Sequence, residues 1–306
     1  MKIAIISKIP NFTEDLQSYW QTQGHQTRWA GDFSKELGSW MDAAFFDFVG
    51  YELAEASRSK WGGKKPLVGR LNRIEFHEKN LERYDFDWSK IKALVFGSKW
   101  YLRLTQERYP KLKDKVLFCH VPYGVDLNRF GFRSRNGSGR NIAWVAKSFS
   151  WKKGPIQALM ALHMLVSETN ENWQLYMKGG SEESGISEWK DYLLANFPSI
   201  SEHVAFVSWV PDINEWLEPM DYILSTSFLE AFHYAVGEAM AKGIKPLIHC
   251  WAGSLEIWPR KYIWLSHQEL LRMIQGPFNS GEYRDFIKEN YPLKKMASKL
   301  EELLSG

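Results

Sequence analysis

The chain is 306 residues long, 44% hydrophobic and 25% charged, with a formal net charge of +3. That length suits two domains of ordinary size, and that balance a soluble globular protein. The charge is too small to argue for nucleic acid, and the fifteen tryptophans are scattered instead of alternating with lysines, so no nucleic-acid surface is expected.

Short β-branched and aromatic runs alternate with helical segments, the pattern of parallel sheets covered by helices. The expected fold class is α/β, with two Rossmann-like, doubly wound parallel-sheet domains. In the first half, strands are expected at KIAIIS (2–7), AAFFDFV (43–49), PLVGRL (66–71), ALVFGS (93–98) and VLFCHV (116–121). TEDLQSYWQTQG (13–24) reads as a helix opened by Thr13 and stopped by Gly24. The polar stretch GFRSRNGSGR (131–140) has no apolar periodicity and reads as a linker. After it come NIAWVAK, a helix over PIQALMALHMLVSE, WQLYMKG, a helix over SEWKDYLLANF, HVAFVS, a short helix INEWLEPM, YILSTS, a helix within EAFHYAVGEAMAKG, and KPLIHCW. Finally, PLKKMASKLEELLSG spaces Leu293, Met296, Leu300, Leu303 and Leu304 as one helical face. The expected divisions are 1–135, 136–290 and a terminal helix in 291–306. Two facing units would place ligands in the cleft between them, beyond the carboxyl ends of the strands.

Only Cys119 and Cys250 occur, in apolar settings without metal spacing. Buried thiols in a reducing compartment are expected, and a disulfide framework is not. MKIAIISKIP is too short an apolar run for a secretory segment, and no stretch approaches about eighteen apolar residues, so a cytoplasmic location is expected.

VAKSFSWKKG (145–154) follows a strand and precedes a helix. Lys147 at the strand end and Lys153 at the helix start could both reach an anion held on backbone N–H groups. STSFLEAFHYAVGE (225–238) is a second such junction, with N–H groups near Phe232, His233 and Tyr234 aimed into the same cleft. Here Glu230 and Glu238 bracket an apolar run. In one continuous helix they would stand about 12 Å apart along the axis and roughly 80° apart around it, too far to share one reacting atom. A helix beginning near Phe232 instead leaves Glu230 in the preceding loop and Glu238 about two turns inside. One ligand lying across the helix start could then touch both.

In this order, VPYGVDLNRF (121–130), VAKSFSWKKG and HVAFVSWVPDINEWLEPMDYILSTSFLEAFHYAVGEAMAKGIKPLI (203–248) resemble the retaining, nucleotide-sugar-dependent glycosyltransferases of family 4 type. The resemblance covers roughly residues 120–258. It implies the GT-B fold, two facing Rossmann-like domains, with 1–135 on the acceptor side, 136–290 binding the donor and 291–306 packing back on the first domain. It implies transfer of a sugar from a nucleotide diphosphate sugar to a carbohydrate, glycolipid or other small acceptor, with retention of configuration and with no metal or further cofactor. Carried over, it implies that Glu230 acts near the reacting carbon, that Lys147 and Lys153 hold the diphosphate, and that Glu238 holds the ribose. Backbone around Trp209 and Val210 would meet the base, and Ser227, Phe232, His233 and Tyr234 would complete the donor site. Three departures stand out. Lys147 replaces an arginine and loses its planar fork, the loop to Lys153 is one residue longer, and His233 replaces a glycine. A nucleotide-sugar epimerase of the same fold and a catalytically silent nucleotide-sugar-binding protein stay open as alternatives.

In the first half, VGRLNRIEFHEKN (68–80) runs from a strand end into a polar loop. There Arg70, Arg73 and His77 could bind an acidic acceptor or the leaving diphosphate. Relatives read RLHR where this chain has RLNR, so Asn72 stands in place of a sugar-contacting histidine and His77 is the candidate substitute. The loop SKIPNFTED (7–15) lacks the paired glycines of many relatives. DFDW (85–88) has the form of a metal-binding Asp-x-Asp, but it precedes an amphipathic turn, where capping aspartates explain it better. RSKWGGKKP (58–66) sets four basic residues around a tryptophan. It could make a peripheral contact with anionic lipid, although an ordinary basic loop is the simpler reading.

Overall fold

A computed structural model describes residues 1–10 and 13–305. Asn11 and Phe12, in the loop after the first strand, lie outside the described residues, so the expectation for that loop is not taken further. The chain forms two units, Met1–Asp126 with Tyr291–Gly306, and Leu127–Asn290.

The first unit holds β1 (Lys2–Ile6), β2 (Gln26–Ala30), β3 (Ala43–Phe46), β4 (Leu67–Arg70), β5 (Ala93–Phe96) and β6 (Leu117–His120). They form one parallel sheet in the order β2-β1-β3-β4-β5-β6. Every residue of β3, β4 and β5 is buried, as central parallel strands covered on both faces must be. The sequence reading missed β2. Its residues Gln26, Thr27, Arg28, Trp29 and Ala30 form an edge strand with none of them buried, so there was no apolar run to find.

The helix Leu293–Leu304 belongs to this unit. It buries Leu293, Met296, Ala297, Leu300 and Leu304 against Ile3, Ile5, Leu16, Trp20, Phe45 and Val68. The Trp20 indole donates to Ala297 O at 3.4 Å. Val125 N donates to Tyr291 O at 2.8 Å, and Leu293 N to Val125 O at 2.9 Å, so the returning chain is also held by its backbone.

The second unit holds β7 (Asn141–Val145), β8 (Gln174–Lys178), β9 (Val204–Val207), β10 (Tyr222–Ser225), β11 (Lys245–His249) and β12 (Ile263–Trp264), again all parallel, in the order β12-β11-β10-β7-β8-β9. Its core gathers Ile142, Trp144, Leu159, Leu162, Trp173, Leu175, Leu224 and Trp264. The segment read as a linker is bound into this unit. Arg135 donates to Met220 O at 3.0 Å and Glu218 O at 3.1 Å, while Arg284 donates to Phe130 O at 2.6 Å and Leu127 O at 3.0 Å. The unit therefore starts at Leu127, and not at 136 as the composition suggested. Among the described residues, no helix is long and apolar enough to cross a membrane.

Strands β7, β8 and β9 succeed one another in one direction, whereas β10, β11 and β12 continue on the other side of β7. The strand order reverses between β7 and β10. At such a reversal the connections leave toward opposite faces of the sheet, which opens a crevice at the carboxyl ends of the two strands.

Candidate active site

The two loops at this reversal are tied to each other. Phe228 N, after β10, donates to Lys152 O, after β7, at 2.9 Å. Thr226 Oγ1 lies 2.9 Å from Lys153 O and 2.8 Å from Gly154 O, and accepts from the Trp144 indole at 2.9 Å. Gly154 permits this approach. Its φ is +62°, and a Cβ there would fall 2.3 Å from Thr226 O. The loop after β7 is held on its other side by Gly180 N, which donates to Lys147 O at 3.0 Å.

Glu230 lies at the centre of these ties. It is 7% exposed, its Oε1 accepts from the Ser227 hydroxyl at 2.9 Å, and the same oxygen is ion-paired with Lys153 Nζ. Burial drives this carboxyl upward, but the Lys153 charge and the Ser227 hydrogen bond outweigh it and hold it at about 2. His233 adds to the downward pull only when its ring is protonated, with Nδ1 at 3.9 Å from Oε1.

The helix expected from near Phe232 begins at Tyr234 and runs to Ala241. The cause is His233, whose φ of +67° and ψ of 77° place it in the left-handed region, so the helix cannot start earlier. Glu230 is accordingly in the loop, as the sequence suggested, but Glu238 is the fifth residue of the helix. That is just over one turn inside instead of two. The left-handed backbone also explains in physical terms why glycine suits this position. The His233 ring bridges the two strand ends. Nδ1 lies 2.8 Å from Ser225 Oγ, and Nε2 lies 3.4 Å from Val145 O. Burial lowers the ring to about 4, so it is neutral near pH 7.

Of the other residues singled out, Lys147 is exposed two residues beyond β7, and Ser227 is buried. Phe232 is buried with its ring stacked on Trp258 at 5.1 Å. Tyr234 is half-buried, with its ring edge-on to Phe232 at 5.5 Å. Trp209 is 71% exposed and Val210 half-buried, both just after β9 at the sheet edge. The reading did not single out Ser225, Thr226 or Trp144. For the first two the signal was the run of small hydroxyl residues "STS" at a strand end, and Trp144 sits unmarked within β7.

In the first unit the candidates separate. Arg70 was expected to face a ligand, but it is 2% exposed and paired with Asp47 at 2.9 Å. Its guanidinium lies over the rings of Phe45 at 4.9 Å and Tyr123 at 5.1 Å. Asp47 also accepts from the Ser7 hydroxyl at 3.3 Å, and burial pushes its carboxyl upward against the pull of Arg70. Asn72 is engaged at both ends of its amide, donating to Asp47 O at 2.5 Å and accepting from Tyr123 Oη at 2.5 Å. Glu75 accepts from Asn72 N at 2.7 Å, and burial raises its carboxyl to about 8. Arg73 is half-buried, and His77 is exposed with Nε2 at 3.4 Å from Tyr101 Oη. Strand order also reverses in this sheet, between β1 and β3, where Ser7 and Asp47 lie.

The Asp-x-Asp aspartates are used locally, Asp85 by Arg58 at 3.0 Å and Asp87 by Lys90 at 2.8 Å. Among the described residues, no three His, Cys, Asp or Glu side chains converge as a metal site. In the basic loop, Trp61 is buried and Lys65 Nζ donates to Gly38 O at 2.9 Å and Met41 O at 2.5 Å, while Arg58, Lys60 and Lys64 are exposed.

Residues 139–257, which contain every tie described around Glu230, match the family model Glycosyl transferases group 1. No curated protein matches the chain in sequence. Among solved structures, it is similar to sucrose-phosphate synthase from Thermosynechococcus elongatus, with a TM-score of 0.74 at 12% identity over 99% of this chain and 98% of that one. It is also similar to HepE from Anabaena solved with UDP and glucose, with a TM-score of 0.68 at 15% identity over 100% and 99%. A third is WaaG, a glycosyltransferase involved in lipopolysaccharide biosynthesis, with a TM-score of 0.66 at 14% identity over 100% of both chains. The family match thus spans the reversal of the second sheet, where the glutamate and lysine are held together, and with its two parallel sheets the chain as a whole has the GT-B fold of these solved glycosyltransferases.

Proposed function

We propose that the protein transfers a sugar from a nucleotide diphosphate sugar to a hydroxyl of a small carbohydrate or glycolipid acceptor, without a metal and with retention at the anomeric carbon. The second unit holds the donor and the first receives the acceptor. Lys147 and Lys153 meet the diphosphate together with the backbone N–H groups at the start of the helix Tyr234–Ala241, an end that favours negative charge. Glu238 accepts hydrogen bonds from the ribose, and backbone beside Trp209 and Val210 meets the base. As the bond from the anomeric carbon to phosphate breaks, the acceptor oxygen takes its place and the acceptor proton leaves with the diphosphate. Positive groups fixed beforehand around the leaving oxygen stabilise the charge that develops there.

The observation that carries this reading is the Lys153–Glu230–Ser227 cluster held by cross-tied loops at the strand reversal. A carboxylate held at about 2 is too weak a base to take a proton from a sugar hydroxyl. Its role is therefore to orient the sugar and to face positive charge growing at the reacting carbon. A cytoplasmic location is part of the proposal, supported by two free, half-buried thiols.

HepE from Anabaena has been solved with UDP-glucose, which makes UDP the first nucleotide to test here. Calorimetry should give saturable UDP binding that weakens at least about tenfold in Lys153→Met. Release of glucose from UDP-glucose should persist in excess EDTA. Loss of that release with EDTA and its recovery with manganese would refute the metal-independent reading.

A further inference from the structure

Two negative groups compete for the Lys153 ammonium. In the structure it is ion-paired with Glu230, and in the proposed function it also meets a diphosphate. Glu230 is buried and has two other neighbours within reach, the Ser227 hydroxyl at 2.9 Å and the His233 ring, whose Nδ1 lies 3.9 Å from Oε1. A diphosphate at the helix start would draw the ammonium toward itself. That leaves a buried carboxylate short of positive charge, which is strongly unfavourable unless another cation replaces it.

His233 is placed to supply that charge. The groups facing its ring are the Ser225 hydroxyl from the end of β10, the Val145 carbonyl from the end of β7, Glu230 from its own loop and Lys153 from the loop after β7. Val145 O can only accept, so Nε2 carries the hydrogen and Nδ1 accepts from the Ser225 hydroxyl. A proton added at Nδ1 would be accommodated by rotation of that hydroxyl from donor to acceptor, with no movement of the backbone. The added charge would then stand across from Glu230. Burial and the Lys153 charge oppose protonation of this ring, and Glu230 favours it. Drawing Lys153 away removes one of the two opposing influences.

We propose that His233 takes up a proton from solvent when a nucleotide diphosphate binds, replacing Lys153 as the cation that faces Glu230. This rests on the reading of the site given above. It makes His233 a positioning residue that keeps Glu230 ionised and fixed while Lys153 serves the phosphates. A glycine at the same point has no ring with which to do this.

The test is calorimetry of UDP binding to the full chain at about pH 6, in buffers of different ionisation enthalpy, for the wild type, His233→Asn and His233→Gly. Both substitutions accept a left-handed backbone, so each serves as the control if the other fails to fold. The nucleotide's own phosphate titration is common to all three proteins and cancels in the difference. The wild type should take up between about 0.5 and 1 proton more than either variant, and its affinity should fall by up to about tenfold more per pH unit as pH rises through this window. Equal proton uptake in the wild type and the variants, with UDP bound, overturns the inference and leaves the donor-site reading intact. Absence of UDP binding to the wild type overturns both.

Discussion

Replacing Lys153 by Met should expose the electrostatics of the site in stability alone. Glu230 stands at about 2 against its ordinary 4.5. At about 1.36 kcal/mol per pH unit, the surroundings of Glu230, with Lys153 foremost and net of burial, contribute about 3 kcal/mol. The lowered value fixes the sign. The contribution is present in full above pH 4.5 and is lost as the pH falls toward 2. Without the ammonium, a carboxylate that is 7% exposed keeps only the Ser227 hydroxyl, and breaking such a buried pair costs about 3–5 kcal/mol at neutral pH. The loss should shrink between about pH 8 and pH 5, because either Glu230 or His233 can then take a proton and relieve the unpaired charge. Urea unfolding of the wild type, Lys153→Met and the double variant Lys153→Met/Glu230→Gln, at several pH values, measures this. The double variant should recover most of the loss. A cost below about 1 kcal/mol that does not change with pH would mean that the pair behaves as an exposed surface contact, and the account of Glu230 would fail.

Glu230→Gln should lower kcat by about 10²–10³ without weakening UDP binding, since the group acts on charge that appears only in the transition state and its removal frees Lys153 for the phosphates. Glu238→Ala should instead weaken UDP binding by roughly 10- to 150-fold, the worth of a hydrogen bond to a charged group. Calorimetry beside steady-state kinetics separates the two, and the opposite pattern would reverse the roles given to the glutamates. Gly154→Ala places a methyl 2.3 Å from Thr226 O on a backbone with φ of +62°. It should cost about 1–3 kcal/mol in strain alone, with a further loss of nucleotide affinity as the loop lifts from β10. Unchanged melting and binding would show that the two loops are not held together through this contact.

Much of the second unit was legible because its chemistry is local. Strand, basic loop and helix follow in the sequence, and Glu230 lies between a strand end and a helix start whatever the details. The exact helix start was not legible, since nothing in "AFHYA" announces that His233 turns left-handed. Nor was the Ser225–His233–Val145 bridge, which joins residues on two strands that are adjacent in the sheet but far apart in the chain. The first unit shows the harder case. Arg70 in VGRLNR looked like a cation available to a ligand, because its partner Asp47 is twenty-three positions earlier, at the end of β3. The β3–β4 pairing brings the two together, and a run of polar residues cannot announce such a partner. The edge strand β2 escaped for the opposite reason, because it buries nothing that would mark it.

The return of the helix Leu293–Leu304 to the first unit has a consequence for how the protein is made. The second unit is one continuous stretch, Leu127–Asn290, and all of its strands have been synthesised before the helix that completes the first core exists. On the ribosome, the early β1–β6 sheet must wait with Ile3, Ile5, Trp20 and Phe45 uncovered while the later unit is built and folds. Any stop before Leu293 leaves that apolar face permanently open, so truncated chains should aggregate through their first unit while the second unit stays folded.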